Sequence, residues 1–385
     1  MNEDRPTPAE PRPKLASTAE ETAERIKAWA SGAHALAFRP MDEVAVPRPD
    51  TPADLFHCID PEHLGRELQA RKITMIGVQP GDAGIVIATE RSVPAKSQPS
   101  ATTNGVPLRF LKAGRPTTSL PSAAVARNPH QGMIADVYTC GSSISPLTRN
   151  TTGTLGCLVR DRTGRLLGLS NNHVSGGCGF LEPRMPVIAP GLADAQPGGL
   201  DAFVIGHHVD FAPWKPGLPQ ILDVRQNLDL AMFEIKDAAL VSSMQGDHYD
   251  TPTSVMTIAD IKAERSVSVA KVGRRTGLTR GTIAACVTGD TSVAYDQIKF
   301  KSDVHYLDMV VVERGDGGAF ALPGDSGSLV VADVRGEKKA LGVVFAISSD
   351  ENLTFVMPME VVLDRLGITL EGNHNVTGPG GRRGP

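Results

Sequence analysis

The chain has 385 residues, of which 41% are hydrophobic, and its formal net charge at pH 7 is −4. At about 150 residues per domain, this length predicts two or three units, and the hydrophobic fraction is enough to build sizeable cores. The slightly acidic balance gives no basic footprint, so the composition argues against nucleic acid as the principal partner.

The first residues and the number of cysteines indicate in which cellular compartment the protein is expected. The sequence begins MNEDRPTPAEPRPK, without a basic start followed by an apolar core, and it has no run of about 18 uninterrupted apolar residues. Five cysteines are few and odd in number, which argues against the disulfide framework of secreted proteins. We expect a soluble, cytoplasmic protein with no secretory signal and no membrane partner. A bridge between Cys157 and Cys178 is kept as an alternative, because they bracket one predicted strand.

The chain before residue 131 predicts a small leading subdomain. Residues 1–17 are rich in proline and charge and are expected to be disordered. Within 18–130, helical composition at 19–37 and a helix at 61–70 precede strands at 73–78, 84–89 and 106–111 and a Pro/Ser/Thr-rich stretch at 114–121. We expect this α/β unit to pack against the back of the first of two barrels predicted below. A sensor or substrate-docking role is the alternative.

The rest of the chain reads as mainly β. Runs rich in β-branched and apolar residues, most of them bounded by turn or charged residues, occur at 202–206, 266–269, 309–312 and 341–345. One segment, 359–366, instead has the apolar spacing of a short amphipathic helix. The glycine-rich end, 372–385, is expected to be a flexible tail.

Three separated motifs supply the residue types of one catalytic site. They are SNNHV at 170–174, NLDLA at 227–231 and GDSGS at 324–328. A serine hydroxyl is a weak nucleophile, so acyl transfer needs an adjacent histidine base, and that base needs a buried carboxylate to orient it. The sequence predicts His173 as the base, Asp229 as the orienting carboxylate and Ser326 as the nucleophile.

Each motif alone has an ordinary structural explanation, such as a loop glycine, a capped histidine or an aspartate that ends a strand. Together, in the order His, Asp, Ser and with separations of about 56 and about 97 residues, coincidence is a poor explanation. The glycines permit a turn in which the N–H groups of Gly324 and Ser326 point at one spot. We therefore predict that these two amides form the oxyanion hole.

The motifs NNHV, LDLA and GDSGSLV resemble the three signatures of trypsin-like and HtrA-like serine endopeptidases, over about residues 151–370. The resemblance implies a double antiparallel β-barrel of the chymotrypsin kind within 131–371. Barrel 1 would span about 150–245 and carry His173 and Asp229, and barrel 2 about 265–371 would carry Ser326. Cys157, Ser328 and Leu329 depart from the usual pattern without removing a catalytic group.

A closer resemblance is to bacterial relatives of the Nal1-like serine peptidases. It rests on GTLG at 153–156 and on KVGRRTGLTRGT at 271–282. The resemblance implies that the floor of the specificity pocket lies near Phe320 and that its walls are formed by Phe345, Ala346 and Ile347 and by residues 353–355. Because none of these is charged, we expect small or apolar side chains at the cleaved position.

No cofactor or metal is predicted. The cysteines lack a paired C-x-x-C spacing, and His207-His208 is an isolated doublet whose side chains would face opposite sides of a strand. The predicted partners are a protein or peptide substrate and an activating protein.

Two other functions are left open. One is a protease-fold binding module with a locked triad, and the other is an esterase using the same triad, although the chain order is wrong for an α/β-hydrolase. For a protease, the resemblance raises the question of activation, since in trypsin-like zymogens a new N-terminus pairs with the aspartate before the serine, here Asp325. We expect regulation by the N-terminal segment or by a partner. A role in bacterial immunity follows only by family analogy.

Overall fold

The computed structural model describes residues 18–40, 50–118, 132–147, 151–195, 201–217, 220–297, 299–316 and 318–376. The predicted disordered segment 1–17 lies outside these residues, as do 119–121 of the Pro/Ser/Thr-rich stretch and 377–385 of the predicted flexible tail. The beginning of that tail is held in place, because the side-chain amide of Asn375 donates to the carbonyl oxygens of Ala238 and Val241, each at 2.8 Å.

The helices of the described residues are short and have defined ends. They are α1 Ala19–Gly32, α2 Pro52–Leu55, α3 Pro61–Arg71, α4 Ile258–Ala263 and α5 Met359–Leu366, with single helical turns at Pro80–Asp82, Ala95–Ser97, Asn172–Gly176 and Ala238–Leu240. Thr18 begins α1 with a reciprocal capping box to Glu21. The helix stops at Gly32, before the predicted end at 37. None of the described helices is both long enough and apolar enough to cross a bilayer.

Strands make up most of the described structure. The strands up to Ser170 are β1 Ile73–Val78, β2 Ile85–Thr89, β3 Leu108–Lys112, β4 Pro116–Thr117, β5 Met133–Ile134, β6 Val137–Cys140, β7 Ser143–Pro146, β8 Gly153–Thr154, β9 Cys157–Arg160 and β10 Leu166–Ser170. Those that follow are β11 Pro186–Ala189, β12 Phe203–Phe211, β13 Ala231–Ile235, β14 Val241–Gln245, β15 Tyr249–Asp250, β16 Ser268–Gly273, β17 Gly277–Val287, β18 Thr291–Gln297, β19 Phe300–Tyr306, β20 Val310–Glu313, β21 Leu329–Val334, β22 Glu337–Ser348, β23 Leu353–Pro358 and β24 Thr369–Glu371.

Six strands of the C-terminal half close into a barrel. Following the hydrogen-bonded pairs, β16 joins β17, β17 joins β20, β20 joins β23, β23 joins β22, β22 joins β21, and β21 returns to β16. Every one of these pairs is antiparallel. Closure leaves no open edge within the six-strand ring, so the turns that leave this barrel have a rigid support.

The other large sheet forms a curled half-barrel in the middle of the chain. It corresponds to the predicted barrel 1 and is called the first sheet below. Its order is β24-β9-β10-β13-β12-β11-β7-β8. The predicted mainly β, double-barrel fold with a preceding α/β subdomain is therefore confirmed. The last strand departs from the expected boundaries, because β24 follows α5 and pairs with β9 of the first sheet.

The leading α/β unit attaches to the second barrel. Strand β1 pairs antiparallel with β17, so β1, β2 and β3 extend the sheet of that barrel. From α1, the Lys27 ammonium donates to the carboxylate of Asp290 at 3.0 Å, and Arg109 of β3 forms an ion pair with Glu313 at 2.5 Å. The expectation that this unit packs against the first barrel is wrong. Main-chain pairing with a buried strand leaves it no freedom to lie elsewhere.

Candidate active site

The histidine and aspartate motifs meet because two neighbouring strands place them there. Strand β10 ends at Ser170, opposite Ala231 at the start of β13. The turn after β10 carries His173, and Asp229 lies just before β13. The His173 Nδ1 lies 2.5 Å from Asp229 Oδ2, and the His173 backbone N–H donates to Asp229 Oδ1 at 2.9 Å. Both side chains are almost completely buried.

Asp229 receives a further hydrogen bond from the large sheet that contains the six-strand barrel. The hydroxyl of Tyr295, on β18, donates to Asp229 Oδ2 at 2.8 Å, and it lies 2.6 Å from the hydroxyl of Tyr306. The Trp214 indole N–H donates to Tyr306 at 2.7 Å. Burial, reinforced by the charge of Asp229, raises the pKa of both tyrosines well above its usual value. They therefore stay protonated, and Tyr295 stays a hydrogen-bond donor.

Sequence reasoning missed Tyr295. It lies 66 positions after the aspartate it contacts, in a hairpin that carries no recognisable motif. Only the packing of β18 against the first sheet brings it to the site, and its ring meets that of His173 edge to face with centroids 6.1 Å apart.

The turn that carries Ser326 is fixed to the first sheet beside the histidine. The N–H of Thr154 donates to the carbonyl oxygen of Ser326 at 2.9 Å, and the Ser170 hydroxyl donates to the Thr154 carbonyl oxygen at 2.8 Å. A Cβ on Gly153 would lie 2.5 Å from Val174 and 3.0 Å from the Ser326 carbonyl oxygen, so only glycine permits this approach. Ser326 and His173 are therefore on adjoining segments.

Ser326 itself is partly exposed. Within the described part of the chain, no hydrogen bond joins its hydroxyl to His173. Contacts between a nucleophile and its base are often loose in the absence of substrate.

The predicted oxyanion hole has two available donors. Gly324 has φ +105°, in the region that favours glycine. Among the described residues, the N–H groups of Gly324 and Ser326 have no acceptor, whereas the intervening Asp325 N–H donates to the carbonyl oxygen of Leu322 at 2.9 Å. Two backbone donors are thus left for a ligand.

Asp325 stabilises the turn that carries Ser326 through a buried ion pair. Its carboxylate lies 3.2 Å from the Lys271 ammonium, and both side chains have zero exposure. The carboxylate also accepts from the N–H groups of Leu322, Arg275 and Thr276, at 3.0, 2.9 and 3.1 Å. Burial lowers the pKa of Lys271, and Asp325 opposes that shift. The aspartate before the serine is already paired with a cation from β16.

A pocket opens beside Ser326. Its lining comprises Thr117, Thr118, Leu322, Pro323, Ser326, Val344, Ala346 and Ile347. Of the predicted pocket residues, the structure places Ala346 and Ile347 here. It places Phe320, Phe345, Leu353 and Phe355 in the hydrophobic cores, each about 2% exposed or less. Phe345 packs on Tyr306, with ring centroids 5.1 Å apart.

Metal and cysteine chemistry have no site in the described residues. These residues contain no group of three or more His, Cys, Asp and Glu side chains that would hold a metal ion. None of the five cysteines forms a disulfide, so Cys157 and Cys178 are not bridged. On β12, His208 is buried and His207 is partly exposed.

Comparisons with known proteins find similar structures and no similar sequence. No protein-family model and no curated protein matches the chain. Among solved structures, Thermobifida fusca Protease A is 17% identical with a TM-score of 0.38, and the match covers 61% of this chain and 98% of that one. Cellulomonas bogoriensis chymotrypsin is 17% identical with a TM-score of 0.36, covering 60% and 97%.

A third match, a glutamic acid specific serine protease, is 17% identical with a TM-score of 0.38, and covers 60% of this chain and 100% of that one. These identities and scores are low, and specific kinship with Nal1-like or HtrA-like peptidases stays a prediction. The function proposed for this chain has to rest on its own site, in which the His173–Asp229 pair adjoins the Ser326 turn.

Proposed function

We propose that the protein is a serine endopeptidase that cleaves protein substrates through an acyl-enzyme. The observation that carries the proposal is the buried His173–Asp229 pair, 2.5 Å between Nδ1 and Oδ2, next to the turn of Ser326. Because Asp229 engages Nδ1, the other ring nitrogen, Nε2, is left to take the proton of Ser326. Two unbonded backbone N–H groups on the same turn supply the donors that an oxyanion needs.

The reaction follows from these positions. Ser326 Oγ attacks the peptide carbonyl carbon while His173 Nε2 accepts the hydroxyl proton, and the resulting oxyanion accepts hydrogen bonds from the N–H groups of Gly324 and Ser326. His173 then gives its proton to the leaving amine, and the C–N bond breaks to leave an ester on Ser326. A water molecule, deprotonated by His173, hydrolyses that ester. Asp229 stays ionised and stabilises the imidazolium.

The test is covalent labelling with a fluorophosphonate probe. Wild type should be labelled, whereas Ser326→Ala and His173→Ala should not. His305→Ala is a matched control, because His305 and Asp290 form another buried histidine–aspartate pair, 2.8 Å apart, that is not part of the proposed triad; this variant should still be labelled. Labelling of Ser326→Ala, or loss of labelling in the control alone, would contradict the assignment.

The lining of the pocket supports an uncharged preference. Its side chains, among the residues that the structure describes, are apolar or hydroxyl-bearing and include no Asp or Glu to pair with a basic residue. We therefore propose that cleavage follows small or apolar residues. A positional-scanning peptide library should show this, and a strong preference for arginine or lysine would contradict it. Cleavage of the peptide bonds in this library would also exclude the esterase alternative, because an amide is intrinsically harder to hydrolyse than an ester.

We also propose that the activity is regulated inside a bacterial cell, by the N-terminal segment or by a protein partner. The reason is that an unrestrained endopeptidase endangers the cell that makes it. Cleavage of a companion effector in bacterial immunity is the setting that the resemblance indicates. A binding module with a locked triad is the second candidate, and absence of labelling in wild type would favour it.

A further inference from the structure

Strand β4 lies on the edge of β22 beside the candidate nucleophile. The two strands are antiparallel, with Thr117 opposite Ile347. The N–H of Ser349 donates to the carbonyl oxygen of Arg115 at 3.0 Å. A segment from the leading part of the chain therefore completes this edge by main-chain pairing.

The same segment reaches the pocket of Ser326. Thr117 and Thr118 line that pocket together with Ser326 itself. On the other side of the segment, the Thr118 N–H donates to the carbonyl oxygen of Ala294, on β18, at 3.1 Å. The chain at 115–118 thus runs past the nucleophile in an extended conformation.

A peptide substrate needs this edge. It must place a carbonyl group at Ser326 and the adjoining side chain in the pocket, whose wall is formed by Val344, Ala346 and Ile347 of β22. An extended peptide gains affinity by adding a strand to a sheet edge, with its side chains filling adjacent pockets. The edge of β22 at this pocket is the one that β4 fills.

We propose that residues 115–118 are an intramolecular occupant of the peptide-binding edge, and that substrate binds by displacing them. This rests on the proposed function, because the edge matters only if Ser326 acts on peptides. The occupant also indicates the substrate class. Thr117 and Thr118 present short, uncharged side chains at the pocket, so the edge accepts an extended peptide with a small, uncharged residue beside the nucleophile.

Some of the contacts that hold residues 115–118 in place are weak, as expected for a segment that a substrate displaces. The ion pair between Arg115 and Asp303, 2.9 Å long, is half-exposed, and exposed pairs contribute little. Within the described structure, the Thr118 hydroxyl oxygen and the Arg115 Nε are buried without a hydrogen-bond partner. Buried polar atoms without partners weaken the bound arrangement, so the docked segment is less stable than a fully paired strand.

A reversible lock tests whether displacement is required. Pro116 lies opposite Ser348, and because the neighbouring pair, Arg115 and Ser349, is hydrogen-bonded, this is a non-hydrogen-bonded pair. The Cα atoms of such a pair are about 4.5 Å apart, within the disulfide range. Pro116→Cys/Ser348→Cys should lose about tenfold or more of its hydrolysis of fluorescein-labelled casein when oxidised, and recover it on reduction. Intact mass verifies the bridge, and wild type, in which none of the five cysteines forms a disulfide, is the redox control.

A loosened segment tests the same idea in the opposite direction. Arg115→Ala/Pro116→Gly removes the ion pair and gives the displaced segment more conformational freedom, so casein hydrolysis should rise about threefold to tenfold. Arg25→Ala is the matched control, because Arg25 forms a comparable half-exposed ion pair with Asp50 on the leading subdomain. It should leave the rate unchanged.

The outcomes separate this inference from the proposed function. Equal casein hydrolysis by the oxidised and reduced double-cysteine protein, or a loosened variant no faster than wild type, would overturn the inference while fluorophosphonate labelling of Ser326 still upheld the endopeptidase. Failure of the reduced lock variant, the loosened variant and wild type to label at all would overturn both.

Discussion

Replacing Lys271 by methionine tests how the turn of the nucleophile is held. The substitution removes an ammonium 3.2 Å from Asp325, where both side chains are fully buried. At an effective dielectric constant of about 20, the attraction at this distance is about 5 kcal/mol. Breaking a buried pair from one side costs about 3–5 kcal/mol, because the remaining charge has no counter-ion. The backbone donors that Asp325 keeps place the expected loss of unfolding free energy near the lower end, about 3 kcal/mol.

Urea unfolding and the rate of fluorophosphonate labelling measure the two consequences of Lys271→Met. We expect lower stability and at least about tenfold slower labelling, since misplacing one oxyanion donor slows catalysis by about 10²–10³. Adding Asp325→Asn should restore part of the stability by removing the unpaired charge. Lys262→Met is the control, because its ion pair with Glu20 is exposed and should contribute less than about 1 kcal/mol. A Lys271→Met protein as stable and as rapidly labelled as wild type would refute the reasoning.

Three further variants test other parts of the structure. Tyr295→Phe removes one hydrogen bond to the buried Asp229 carboxylate and should lower the unfolding free energy by about 1.5–3 kcal/mol; an unchanged urea midpoint would contradict this. Burial lowers the pKa of His208, so the unfolded chain takes up its proton first and stability should fall as pH drops below about 6.5. His208→Phe should flatten that slope in pH-dependent melting, and an identical slope would exclude His208 as the cause. Gly156→Ala would put its Cβ 2.1 Å from a carbonyl oxygen of the nucleophile's turn and should abolish labelling, whereas Gly32→Ala, with open space around it, should not.

The sequence alone predicted the fold class and the bounds of several elements closely. Helix α5 has the predicted limits 359–366, and β1 has the predicted limits 73–78. These signals are local: apolar spacing specifies a helix face, and β-branched runs favour strands. The three motifs of the candidate site are local too, because a glycine-flanked serine or a histidine at a strand end is recognised from a few consecutive residues.

The sequence did not predict the contacts between segments that are distant in the chain. The predicted pocket residues Phe320 and Phe345 lie in the cores, because which face of a strand meets a cavity depends on how the sheets pack. The pairing of β1 with β17, which attaches the leading subdomain to the second barrel, likewise depends on how far the end of β17 extends past its partner β16.

The sequence by itself therefore determined which functional groups are available, namely a serine, a histidine and an aspartate in strand-end motifs of a mainly β chain. Only the tertiary structure decided what surrounds them: the Lys271–Asp325 pair under the turn, the Tyr295 hydroxyl on Asp229, and β4 on the edge of β22. The physical reason is that hydrogen bonds and ion pairs act over a few ångströms, whereas their partners are tens to hundreds of residues apart in the chain and meet only once the chain has folded.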